Sequence, residues 1–248
     1  MTVIKSPQEI AIMRQAGKIV AIALQRLREE IKPGVKTSHL DSVAAKELQK
    51  YGAKGSFKGY RGFPSYLCVS VNNEIVHGIP GDRRLGDGDI VSLDFGAIVD
   101  GFHGDGAITV GVGGISPETQ ELLAVTEAAL MVGISAARSG AHLGDVSAAI
   151  QNHVETRGFS VVREYSGHGV GRDLHEDPLV PNFGSPGEGP ILRKGMTLAV
   201  EPMVTVGNWR TRLADNRWTV LTADGSLAAH FEHTIAISDD EAEILTLL

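Results

Sequence analysis

The chain has 248 residues, 42% hydrophobic and 21% charged, with a formal net charge of −7, a globular composition long enough to bury a substantial core. No apolar run approaches the roughly 18 residues of a bilayer span, no basic start followed by an apolar run marks export, and the acidic balance without a basic cluster excludes nucleic acid as the main partner. One cysteine, Cys68, leaves no internal disulfide and no thiolate zinc site, which fits a reducing compartment and restricts any metal to oxygen and nitrogen ligands.

Ser6, Pro7 and Glu9 combine a capping hydroxyl, a proline at the first helical position and a carboxylate three residues after the cap, which predicts a helix start. Ile10, Met13, Val20, Leu24, Leu27 and Ile31 recur at mostly helical spacing until Pro33 and Gly34 stop it. A second helix is expected after Thr37 or Ser38, ending at Gly52, and residues 67–71, 89–95, 97–103 and 105–110 read as strands. The order then returns. Ser116, Pro117 and Glu118 open a long helical stretch, Gly140 interrupts it, another helix is expected from about Asp145 to Gly158, and strands are expected at 161–165, 196–206, 218–222 and 229–237.

The second helices of the two series read Asp41-Ser-Val-Ala-Ala and Asp145-Val-Ser-Ala-Ala. Capped helix pairs are common enough to recur by chance, but a repeat over half the chain points to duplication. The expectation is an α+β fold of two pseudo-twofold related halves, about 1–112 and 113–248, meeting near Gly111–Ile115 in a single catalytic domain. Its sheet is expected to be mostly antiparallel with the helices on the outer face.

Asp100-Gly101 is the strongest two-residue hairpin signal in the chain. With that turn, Asp94 faces Ala107, and Asp105 becomes the diagonal neighbour of Asp94 on the same face. An aspartate on a solvated hairpin face is ordinary, yet Asp94 follows Ile90, Val91 and Leu93, where an unpaired charge is costly. His168 lies between glycines that let the backbone bend, and His175 follows in the same segment. Either histidine taken singly is more often a hydrogen-bonded structural residue than a ligand. Glu201 ends the apolar segment GMTLAVEP and Glu232 lies inside AAHFEHTIAI; an ionised glutamate buried there calls for a counter-charge. Asp94, Asp105, His168, Glu201 and Glu232 are the inventory of a two-metal hydrolytic site, and two divalent ions (manganese, iron, cobalt or zinc) suit those donors.

Five segments carry a resemblance: VNNEIVHGIP at 71–80, LDFGAIVDGFHGDGAIT at 93–109, GHGVGRDLHEDP at 167–178, EPM at 201–203 and FEHT at 231–234. With them the chain closely resembles the type I methionine aminopeptidases, M24 metallopeptidases of duplicated "pita-bread" fold, from the Ser6 helix to Leu245. The resemblance implies that Asp94 holds one metal, His168 and Glu201 the other, and that Asp105 and Glu232 bridge them. It implies that a bridging water attacks the first peptide bond, with Glu201 as proton shuttle, His77 on the scissile nitrogen and His175 supporting the oxyanion. Tyr60, Phe63, Cys68, Leu174 and Trp218 match the positions of the family's methionine pocket. Leu174 and Phe63 stand where relatives often carry an aromatic residue and a tyrosine, which would reshape that pocket.

What the family acts on implies cytoplasmic removal of methionine from nascent chains near the ribosome, with a small second residue preferred, by a monomer with no membrane or nucleic acid partner. Proline-specific peptidases of the same fold share the five ligands but usually carry an additional amino-terminal domain, for which this chain has no room. A non-catalytic binding module on the fold is the other alternative, and the retention of all five ligands weighs against it.

Overall fold

The first turn of α1 (Pro7–Glu30) shows why it begins where it does. In the computed structural model, which describes residues 2–248, the Ser6 hydroxyl accepts from the Glu9 amide while the Glu9 carboxylate accepts from the Ser6 amide, a closed capping box. Helix α2 (Thr37–Tyr51) ends at Gly52, whose left-handed backbone (φ 64°) turns its N–H back to the Gln49 and Leu48 carbonyls. Its N-cap is Lys36 rather than a hydroxyl residue, because the Thr37 hydroxyl is engaged with the backbone of Gly81. Helix α3 (Pro117–Ala136) repeats the serine–proline start, with Ser116 Oγ accepting the Thr119 amide at 3.1 Å. Helix α4 (Leu143–Glu155) starts before the expected Asp145, whose carboxylate holds the His142 amide at 2.8 Å.

Among the described residues these helices accompany one nine-stranded sheet and two three-stranded sheets. The central hairpin corrects the expected segmentation at 89–95, 97–103 and 105–110. It consists of two strands, Ile90–Val99 and Phe102–Gly111, joined at Asp100 and Gly101, which both take positive φ (46° and 80°). Gly96 continues the ladder opposite Asp105 without a break. Gly104 is required for another reason: a Cβ there would stand 2.7 Å from the Gly17 amide of α1, so helix and strand touch backbone to backbone.

Residues 196–206 form two strands, Thr197–Val200 and Met203–Thr205, which belong to different sheets. The break falls at Glu201-Pro202, where proline removes a ladder donor. Residues 229–237 likewise divide at Phe231 into Ala228–His230 and Glu232–Ala236. The expected strands at 161–165 and 218–222 shrink to Ser160–Val161 and Val220–Thr222. Strand Glu176–Pro181, which no alternation announces, pairs with Ser166–Gly169.

The two halves have the same connectivity. Leu67–Val71 pairs with Ile90–Val99 and that with Phe102–Gly111; Ser166–Gly169 pairs with Thr197–Val200 and that with Glu232–Ala236. A helix pair precedes each series. The innermost strands meet antiparallel, with Glu232 opposite Ala107, the relation that a twofold rotation between repeats produces. Asp41 and Asp145, at matching places in the second helices, each hold loop amides: Tyr66 and Leu67 for the first, Gly187 for the second.

Each helix pair covers its own half. Val91, Leu93 and Phe95 pack with Leu24, Leu27 and Leu40, while Leu198 and Ile235 pack with Leu122, Leu130, Val146 and Ile150. Burying each such side chain contributes about 1.5–3 kcal/mol. Strand period then sends Asp94, between Leu93 and Phe95, to the face that the helices leave open.

Candidate metal centre

Strand register brings the predicted residues together in rows. Cys68 is opposite Asp94, Asp94 opposite Ala107 and Ala107 opposite Glu232, so one row crosses four strands on one face. In a second row, Gly96 is opposite Asp105, Thr234 opposite Ala199 and Ala199 opposite His168. Thr234 Oγ1 joins its two parts, accepting the Asp105 amide at 2.9 Å and donating to the Asp105 carbonyl at 2.8 Å. Small residues between the acids leave space in front of the sheet.

Asp105, His168 and Glu232 each offer a donor atom, and these atoms lie within 4.8 Å of one another. Glu201, released from the ladder beside Pro202, brings Oε1 to 3.6 Å from His168 Nε2, and its carbonyl is held by Asn182 Nδ2 at 3.0 Å. Asp94 stands next to them in the first row, 9% exposed, with Oδ1 buried and without a hydrogen-bond partner; Glu232 Oε1 is in the same condition. Among the described residues no lysine or arginine ion-pairs with any of the four acids; the rings of His168 and His230 come within 3.5–3.9 Å of Asp105, Glu201 and Glu232.

Electrostatics follow from that crowding. Burial raises Asp105 to about 7, and burial together with neighbouring carboxylates pushes Asp94, Glu201 and Glu232 well above the ordinary carboxyl range. Burial also lowers His168 to about 4, so its ring is neutral at neutral pH. Its Nδ1 faces the Gly169 carbonyl at 2.9 Å. Because a carbonyl only accepts, Nδ1 carries the hydrogen and Nε2 turns a lone pair toward the acids. Unpaired buried carboxylates around an imidazole lone pair fit divalent cations that take oxygen and nitrogen donors.

One cavity is lined by all five of these residues and also by His77, His175, Tyr60, Phe63, Cys68, Leu174 and Trp218. The fold therefore gathers every residue singled out in the sequence into one place. Its apolar side is an edge-on contact of Phe63 with Trp218 (centroids 5.2 Å apart), with Cys68 and Leu174 in the same cluster. Burial drives the Cys68 thiol well above its ordinary value, so it remains protonated. Tyr60 Oη lies 2.9 Å from His175 Nδ1, and the His175 ring is tilted over His168 at 4.2 Å. Burial, then His168, lowers His175 to about 3, and burial lowers His77 to about 4. His77 has a left-handed backbone (φ 60°), and the following Gly78 has no room for a Cβ, which would fall 2.1 Å from the Val69 carbonyl oxygen.

Three lining residues escape the sequence reading: Phe57, Arg61 and Val76. Val76 adjoins His77 and could have been taken with it, whereas Arg61 enters through a positive φ (49°) inside the Tyr60–Gly62 turn, which the sequence does not signal. His230, two residues before Glu232, carries no sequence signal of its place beside the acids.

The profile of metallopeptidase family M24 matches residues 11–239. Methionine aminopeptidase 1 of Bacillus subtilis is 53% identical over 246 residues, covering 99% of both chains. The solved structure of the Thermotoga maritima methionine aminopeptidase superposes with a TM-score of 0.99 at 49% identity, covering 100% of both chains. The Xaa-Pro dipeptidase of Bacillus anthracis shares the fold alone, with a TM-score of 0.79 at 24% identity and 62% of its length covered. On this agreement of sequence, fold and acid cluster, the chain belongs to metallopeptidase family M24, among its methionine aminopeptidases.

Proposed function

We propose that the chain removes amino-terminal methionine from nascent proteins and peptides in the cytoplasm, near the ribosome, preferring a small second residue. The reading has it work as a monomer whose two halves form one catalytic domain, since each half supplies part of the acid cluster. The observation that carries it is the juxtaposition, in one cavity, of an apolar pocket with four buried acids that have no lysine or arginine partner, two of them with an oxygen that has no hydrogen-bond partner.

Asp94, Asp105, His168, Glu201 and Glu232 would hold two divalent ions of cobalt, manganese, iron or zinc, which when bound supply an acidified water and a polarised carbonyl. The chain's own groups do the rest. Phe63, Trp218, Cys68, Leu174 and Tyr60 would receive the unbranched thioether of methionine. Glu201, a carboxyl raised by burial and by Asp94 and Asp105, would accept a proton from the attacking water and return it to the leaving amine. Tyr60 engages Nδ1 of His175, which leaves Nε2 for the oxygen of the scissile carbonyl as it becomes negative. His77 would hydrogen-bond the scissile nitrogen.

The test is methionine release from Met-Gly and Met-Ala peptides, from a series with larger second residues, and from a Gly-Pro peptide. It is run on metal-stripped protein with cobalt, manganese, iron and zinc restored one at a time. Metal-dependent release of methionine that declines as the second residue grows is expected; release confined to the Xaa-Pro peptide would overturn the reading.

A further inference from the structure

His230 is buried beside the acid cluster and takes no part in the steps above. Its side chain is 1% exposed, and neither ring nitrogen has a hydrogen-bond partner, a condition that buried polar groups rarely keep without cause. Nε2 lies 3.5 Å from Glu201 Oε2 and 3.9 Å from Glu232 Oε2. The Glu201 carboxylate is thus bracketed by two imidazoles, with Oε1 facing His168 at 3.6 Å and Oε2 facing His230. Glu201 and Glu232 line the cavity whereas His230 does not, so the ring stands behind them.

The sheet fixes that position. Thr109 Oγ1 accepts the His230 amide at 2.9 Å and donates to the His230 carbonyl at 2.7 Å, and Met203 pairs with it from the neighbouring strand. Carboxylates that ligate a cation are ionised and their oxygens only accept hydrogen bonds, so in the loaded site the nitrogen that faces two of them is the one that carries hydrogen. Both separations, 3.5 and 3.9 Å, are longer than an ordinary hydrogen bond.

We propose that His230 is a positioning residue of the metal centre, whose Nε2–H donates to Glu201 and Glu232 from behind and holds both carboxylates in the orientation that grips a divalent cation. The inference rests on the reading of these two glutamates as ligands. A hydrogen bond to the far side of a ligating carboxylate fixes its orientation and restrains a charge that would otherwise turn away from its neighbours. Losing such a partner commonly weakens metal affinity by about 10- to 100-fold.

Manganese titration calorimetry on the metal-stripped full-length protein tests this, with urea unfolding of the same metal-free samples as the control. His230→Leu and His230→Phe remove the donor, the second keeping a ring of similar volume in case the first does not fold. His230→Gln restores a donor. The two donor-free variants are expected to bind manganese roughly 10- to 100-fold more weakly, with glutamine recovering most of the loss and metal-free stability not reduced. Parent-like affinity in a folded donor-free variant, or a loss that glutamine does not repair, overturns the role of His230. A parent protein that takes up no manganese overturns the ligand reading itself and this inference with it.

Discussion

Replacing Asp105 with asparagine separates the burden that the acid cluster places on the fold from its use. In the folded, metal-free chain burial raises this carboxyl from 3.8 to about 7. A folded-state value above the unfolded one makes the group increasingly unfavourable to the fold as pH rises from 4 through 7. Between pH 5 and pH 8 the parent thereby loses about 3 kcal/mol that asparagine, which does not titrate, does not lose. Asparagine keeps the size of the side chain and the oxygen that accepts the Gly106 amide at 3.1 Å. Buried histidines such as His77 and His168, both lowered to about 4, move stability in the opposite direction below pH 6.5. Between pH 5 and pH 8 both rings are already mostly neutral in the fold, so their effect largely cancels in the difference. Relief of Asp94, Glu201 and Glu232 from one neighbouring charge adds to the gain. Urea unfolding with chelator at pH 5, 6, 7 and 8 should show an asparagine advantage that widens with pH, while manganese affinity falls. An advantage that stays constant or shrinks as pH rises would refute the argument that the uncompensated carboxyl strains the fold.

Glu201→Gln should lower kcat roughly 100-fold or more while circular dichroism and cooperative unfolding are retained; a rate within a few fold of the parent removes Glu201 from proton transfer. Trp218→Ala should raise KM for methionyl peptides about tenfold with a smaller change in kcat, because the contact with Phe63 and the apolar wall are lost; a selective loss of kcat would contradict its assignment to the pocket. Cys68, buried with its thiol driven upward, should resist iodoacetamide at pH 8 until the protein is unfolded, and Cys68→Ser should keep activity within about twofold. Rapid labelling of the native protein, or loss of activity in the serine variant, would count against an inert wall residue.

What could be read in the sequence was what local chemistry dictates. Ser6 and Ser116 with their prolines set two helix starts, and Asp100-Gly101 fixed the hairpin register that puts Asp94 and Asp105 on one face. The four acids were legible because each interrupts or ends an apolar segment, where an ionised group needs a partner. Strand limits were less legible, since Glu201-Pro202 and Phe231 lie within continuous apolar runs whose division depends on the sheet each part joins. The placement of Asp105 near His168 through Thr234 and Ala199 is a long-range pairing that no local pattern encodes. His77 and His175 entered through the resemblance to a family, and His230 was overlooked because its burial becomes evident only once strands from both halves surround it.

The junction at which Glu232 meets Ala107 has a further consequence for the life of the molecule. Only Glu232–Ala107 and His233–Gly106 are paired in register there, before Thr234 takes over with its hydroxyl, and acids from both halves face one another across it. On the reading of these acids as ligands, a cation seated among them would act as a clasp across the two halves, stabilising the folded chain by its binding free energy. On the proposed reading the supply of the ion would govern how long each copy survives as well as how fast it works, because a copy without it lacks that stabilisation and would expose its apolar strands to proteases more often.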